Sequence, residues 1–139
     1  MRMTKQMFED ADLWDEREYR EGEIVTLKSN GLLLAQTLET VHLPHDLMGL
    51  VEGRSSWARM GVGVHVTAPK IDPGFNKPIT LELTNHSQAD YQLEAGIERP
   101  CQLILLRISK PLTKSQIYGN SPDDTFAHSD KPVPTKHTK

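Results

Sequence analysis

Hydrophobic positions along this chain fall in short runs separated by turn residues, and no long run keeps a helical period. After a polar opening, Ile24-Val25-Thr26-Leu27 predicts a strand that ends at Ser29-Asn30-Gly31. Asn and Gly there suit a turn that needs positive φ. Leu32 to Leu38 and then Thr40-Val41-His42-Leu43 predict two more strands, stopped by Pro44. Further strands are predicted at residues 48–52, 62–66, 79–83, 91–93 and 101–108. One segment, Ser55-Ser56-Trp57-Ala58-Arg59-Met60, reads as a helical turn, with Ser55 or Ser56 as its cap and Gly61 as its end. Strand-length runs punctuated by Pro, Gly and Asn predict an all-β barrel or sandwich with one short internal helix. Nothing repeats internally.

The ends of the chain are different. Residues 1–22 are polar and acidic. Met7, Phe8, Leu13 and Trp14 could line one side of a short helix, and a solvated leader fits the same residues. Residues 119–139 form a polar tail with Pro122, Pro132 and Pro134 and no core of its own. The folded core is therefore expected over residues 23–118.

Composition narrows the function. The 139 residues suit one domain, and 37% hydrophobic content lies below the globular average of roughly 45–50%. A domain this size buries only about two-thirds of its unfolded surface, so self-association would help it. Sixteen basic against nineteen acidic residues give a net charge of -3, which argues against nucleic-acid backbone binding. No run of about 20 apolar residues offers a membrane span, and no secretory signal is visible. A cytoplasmic protein is expected. The single cysteine, Cys101, rules out an internal disulfide and a cysteine-cluster zinc site.

Three clusters could carry chemistry. Gly53-Arg54-Ser55-Ser56-Trp57-Ala58-Arg59 places hydroxyls and guanidiniums around a helix start, which suits phosphate oxygens; an ordinary surface turn with two arginines would look similar. Asp72, before Pro73-Gly74-Phe75, is either a turn former or a carboxylate for a sugar hydroxyl. Glu82 lies in Ile79-Thr80-Leu81-Glu82-Leu83, where alternation puts Thr80 and Glu82 opposite the apolar face. Facing solvent it would be inert, whereas in a cleft it would serve as a proton shuttle. His65, between Val64 and Val66, reads as a packed or inter-subunit histidine, Trp57 as packing and Cys101 as buried.

Taken in order, these clusters resemble the dCTP deaminase family of the dUTPase-like superfamily. The matching residues are Gly53 to Gly61, Val64-His65-Val66-Thr67-Ala68, Ile71-Asp72-Pro73-Gly74-Phe75 and Ile79 to Asn85. The similarity extends from about residue 22 to Tyr118. It implies a distorted β-barrel assembled as a homotrimer with active sites between subunits. By position, Arg54, Ser55, Ser56 and Arg59 would hold the triphosphate, with Ser55 and Arg59 also placing the catalytic water. Asp72 would bind the deoxyribose 3′-hydroxyl. Backbone groups of Val66, Ala68, Thr80 and Leu81 would read the cytosine edge, and Glu82 would be the catalytic acid/base. Gln102 and Tyr118 are further candidates on the phosphate side.

The implied reaction is hydrolytic deamination of dCTP to dUTP and ammonia. A zinc deaminase carries a Pro-Cys-x-x-Cys signature; here Pro100-Cys101 is followed by Ile104 at the second cysteine position, so no catalytic metal is expected. Mg2+ is expected only as the counter-ion of the triphosphate. Two alternatives stand beside this reading. One is a bifunctional enzyme giving dUMP and pyrophosphate, favoured by Cys101-Gln102-Leu103, with Asp72 activating the second water. The other is a catalytically weak nucleotide-binding regulatory relative.

The pattern departs from the family in three places. Family members carry a further stretch ahead of the segment matching Glu23, so this chain reads as an N-terminally short variant. Thr125-Phe126-Ala127-His128-Ser129 replaces a Lys-Tyr-x-x-Gln-like closing segment, with Lys131 as a substitute cation. Asn76-Lys77-Pro78 stands in place of a small turn.

Overall fold

A computed structural model describes residues 16–121, 124 and 126–129. The short helix suggested along residues 7–14, and the cation offered by Lys131, lie outside the described residues. Eight strands and one helical turn follow in order: β1 (Ile24–Leu27), β2 (Leu32–His42), β3 (Leu47–Gly53), α1 (Ser55–Ala58), β4 (Val62–Gly63), β5 (Lys70–Ile71), β6 (Asn76–Asn85), β7 (Tyr91–Glu94) and β8 (Cys101–Arg107). They pair as three antiparallel sheets, β1-β7, β2-β6-β4 and β5-β3-β8, so no ladder joins strands adjacent in sequence. The anticipated barrel takes the form of three small sheets around a common core, and the ladders do not close among the described residues.

Alternation builds that core. Val25 and Leu27 of β1 face inward, as do Ile79, Leu81 and Leu83 of β6, while Thr80 faces out and Glu82 is half-buried. Asn85 is the exception, a polar side chain only 1% exposed. Its amide donates to Leu27 O and Ala89 O, and its Oδ1 accepts from the Ser87 amide and hydroxyl. The Asn85 side-chain oxygen and nitrogen are thus both paired, as burial requires.

Several elements differ from their sequence pattern for local reasons. The two strands expected between Leu32 and Leu43 are one, β2, with a register irregularity between Gln36 and Thr40. Pro78 on the facing strand has no N–H for the ladder, and the Ile79 amide goes instead to the Thr37 hydroxyl at 2.9 Å. The strand expected over 62–66 stops at Gly63, and the Val66 amide bonds to a side chain of β6 in place of its main chain. Arg54, not Ser55 or Ser56, occupies the cap position of α1, and no side chain caps it. Gly61 does end the turn, at φ +84°. Of Asn30 and Gly31, only Asn30 takes positive φ, at 55°.

Trp57 is the reason a single helical turn holds its place. It is 6% exposed and its ring sits 5.4 Å from that of Tyr91. Cys101, expected to be buried, is half-buried, and loss of solvent pushes its thiol pKa up, with Glu39 adding to the rise. On β8, Ile104, Leu105 and Leu106 are 43, 53 and 41% exposed, although the run is apolar.

Candidate active site

The site is built where β3 runs out. Strand pairing brings Gly53 opposite Cys101, and the chain then turns into α1. The Arg54 amide donates to Pro100 O at 3.2 Å, and its guanidinium donates to Arg99 O at 3.3 Å. Gln102 Nε2 donates to Gly53 O at 3.2 Å. These bonds tie the start of β8 to the loop entering α1. With Trp57 anchored inside, Ser55, Ser56 and Arg59 are left exposed on the outer side of the turn. Neither Arg54 nor Arg59 is ion-paired among the described residues. Two unneutralised guanidiniums beside two hydroxyls form a surface suited to an anion.

Glu82 stands next to this turn. Its amide donates to Val64 O at 3.0 Å, continuing the β4–β6 ladder by one bond. Its carboxylate then accepts the Val66 amide hydrogen at 2.7 Å. A side chain thus takes a bond that a further strand residue would have made, and this turns residues 66–68 away from the sheet. Val66 and Ala68 are exposed as a result. Val64, whose carbonyl accepts the Glu82 amide, also packs toward Gly53, 3.8 Å from where a Cβ there would lie, and so links β6 to the segment entering α1. On β6, alternation points the main-chain groups of Thr80 toward the same side as those of Glu82. Leu81 has its side chain in the core and its main chain opposite Ala35 of β2. His65 is half-buried, and its Nδ1 is enclosed with no hydrogen-bond partner among the described residues.

Asp72 belongs to a separate group within the chain. Ile71 pairs with Gly49 and Lys70 with Leu50, so Asp72 falls beside the start of β3. Ser55 lies past the other end of that strand, roughly 20 Å away at the rise of an extended chain. Asp72 opens a turn through Pro73 and Gly74, closed by the Phe75 amide on Asp72 O at 3.1 Å. Gly74, at φ +83°, supplies the left-handed position that such a turn needs. The Asp72 carboxylate also meets Lys70 Nζ at 2.8 Å on the surface. Tyr118 sits with this group: its amide donates to Pro73 O at 3.0 Å and its ring lies 5.3 Å from that of Phe75. Burial raises the Tyr118 phenol pKa, and the charges of Asp124 and Asp72 raise it further. Within one chain, then, Arg54, Ser55, Ser56, Arg59 and Gln102 gather around the entry to α1, and Glu82 and Val66 are joined by the carboxylate–amide bond. Asp72 and Tyr118 lie apart from them.

Solved structures define the class of fold. The native dUTPase of EIAV superposes with a TM-score of 0.53 at 23% identity, over 68% of this chain and 79% of that one. A dUTPase of Staphylococcus bacteriophage 80alpha with dUpNHpp gives 0.55 at 20%, over 71% and 78%. The fold is dUTPase-like. Within that class, the family model described as dCTP deaminase-like matches residues 2–108, and the chain belongs to this family. Among curated relatives, proteins named "dCTP deaminase, dUMP-forming" include one from Dictyoglomus turgidum, 42% identical over 100 residues. That match takes in 72% of this chain and 51% of the relative. One from Methanobrevibacter smithii is 42% identical over 101 residues, or 73% and 52%. The chain spans about half the length of the curated relatives it matches. No helix among the described residues is long and apolar enough to cross a membrane.

Proposed function

We propose that this chain catalyses hydrolytic deamination of dCTP and carries the product on to dUMP and pyrophosphate. The leading expectation from sequence ended at dUTP. The names of the relatives favour the dUMP-forming alternative. The observation that carries the proposal is the half-buried Glu82 carboxylate, held at 2.7 Å by the Val66 amide beside the arginine–serine turn. A carboxylate fixed by one oxygen keeps the other for a proton.

In the first reaction a water adds to C4 of cytosine while Glu82 takes its proton. The same proton passes to ring N3, and the C4–N4 bond breaks with a second proton transfer to the leaving ammonia. Ser55 and Arg59 place the water and phosphates, with Arg54 and Ser56 completing the grip on the triphosphate. Main-chain groups of Val66, Ala68, Thr80 and Leu81 read the base. In the second reaction Asp72 orients a water that attacks phosphorus, and pyrophosphate departs with the bond it held. Gln102 lies on the phosphate side, whereas Tyr118 belongs on the sugar side with Asp72. Mg2+ would arrive with the triphosphate. Its ligands would be phosphate oxygens and water.

A homotrimer with shared sites, in the cytoplasm, completes the proposal. The distance separating Asp72 from Ser55 along β3 supports it, since a second copy would bring one group to the other. The exposed apolar side chains and open edge of β8 also call for a covering surface. Incubation with dCTP and Mg2+, followed by separation of nucleotides, tests the function. dUMP and ammonia are expected. Accumulating dUTP would restore the simpler deaminase, and untouched dCTP would favour a nucleotide-binding regulator.

A further inference from the structure

Lys77 lies on β6 just past the Asp72–Phe75 turn, paired in register with Val41. Its ammonium donates to three main-chain carbonyls of one late segment: Phe126 O at 3.0 Å, Ala127 O at 2.9 Å and Ser129 O at 2.6 Å. Those carbonyls converge because Asp124 folds the segment on itself. Its carboxylate accepts the Gly119 and Ser121 amides at 2.8 and 3.1 Å, and its carbonyl accepts the Ala127 amide at 3.0 Å. At the other end of the same strap, the Leu112 amide donates to His45 O, and Ile117 lies over Gly74, 2.6 Å from where a Cβ there would stand. Tyr118 sits between the two anchors, with its amide on Pro73 and its ring on Phe75.

We propose that Lys77 is a positioning residue that latches a strap formed by residues 112–121, 124 and 126–129, holding Tyr118 against Phe75 beside Asp72 so that the sugar-recognising surface is formed before nucleotide arrives. The proposal rests on the reading of Asp72 as the deoxyribose ligand. Three charge-assisted bonds from one ammonium give the latch its hold, since bonds to an ionised donor are roughly twice as strong as neutral ones. A strap that is only fractionally closed weakens apparent affinity by that fraction, while saturating nucleotide can still close it. Loss of the latch therefore acts on KM and spares kcat.

The test compares the full chain with Lys77→Met, which keeps the stem, and Lys77→Arg, which keeps the charge and donors. Hydrogen exchange at the Gly119 and Ala127 amides is expected to accelerate about tenfold or more in Lys77→Met, with Leu81 of β6 unchanged as the control for global folding. KM for dCTP is expected to rise about fivefold to tenfold with kcat within about twofold, and Lys77→Arg should recover most of both effects. Unchanged exchange in Lys77→Met would overturn the latch. Faster exchange with an unchanged KM would overturn its positioning role. Should the wild-type chain leave dCTP intact, the catalytic reading fails instead, and the affinity ratio is then read by calorimetry with dCTP.

Discussion

The Glu82 carboxylate accepts the main-chain N–H of Val66 at 2.7 Å, and this one bond both ends the β4–β6 ladder and fixes the carboxylate proposed as the acid/base. Replacing Glu82 by Gln keeps an oxygen for the Val66 amide and removes the proton acceptor. Ammonia release from dCTP should fall by about 10²–10⁴, while nucleotide binding and melting temperature stay close to wild type. Full turnover in Glu82→Gln would remove Glu82 from the mechanism.

Arg59 and Arg54 flank the exposed hydroxyls, and no carboxylate among the described residues neutralises them. Truncating Arg59 to Ala should weaken dCTP binding by about one to two orders of magnitude, the range for a lost charge-assisted contact. Calorimetry with deoxycytidine should show little change, because only the phosphates are affected. Equal losses for nucleoside and triphosphate would place Arg59 elsewhere.

Leu105 is 53% exposed on β8, a strand hydrogen-bonded only to β3 among the described residues. If copies of the chain cover this strand, Leu105→Lys should convert the trimer to monomers and abolish dCTP turnover together. Light scattering on both proteins checks it. An active wild-type monomer would contradict sites shared between subunits.

Gly74 combines φ +83° with an approach that leaves no room for a Cβ beneath Ile117. Ala at this position must strain the turn and push the strap outward, at a cost of about 1–3 kcal/mol. A drop in melting temperature of several degrees is expected, with faster exchange at the Tyr118 amide.

Acid should loosen the joint between the β1–β2 turn and the loop before β7. The Lys28 ammonium, and after it the Ser29 amide, hold the Asp90 carboxyl below its ordinary value of 3.8. A depressed folded-state value means the contribution is present above about pH 4 and is lost as pH falls further. Urea midpoints of wild type and Asp90→Asn should therefore differ near neutrality and converge toward pH 2. Because the pair is fully exposed, the difference should also shrink in high salt.

What could be read from the sequence was whatever alternation or turn chemistry controls locally. Ile79, Leu81 and Leu83 declare the inner face of β6, and Asp72-Pro73-Gly74-Phe75 declares its turn. Long-range bonds were invisible. Nothing around Val66 reveals that its amide will be taken by Glu82, so the pattern over 62–66 predicts a longer strand than the two residues that form. Ser55 and Ser56 look like caps, but Arg54 holds the cap position and leaves both hydroxyls exposed. The resemblance assigns Tyr118 to the phosphate side, and no local pattern reveals that within the chain it packs on Phe75. The apolar run of β8 predicts a strand correctly, yet its exposure depends on what covers its outer edge, which no local pattern encodes.

The ladder order has a kinetic consequence. Every strand pairs with one distant in the chain, β1 with β7, β2 with β6 and β3 with β8, so no hairpin can form early and template the rest. Chain closure must come before any sheet is rewarded, which places refolding in the slow range of about milliseconds to seconds and makes it all-or-none. During synthesis, β3 must wait for β8 to emerge before its sheet is complete. Until then both strands present open edges to any neighbouring chain.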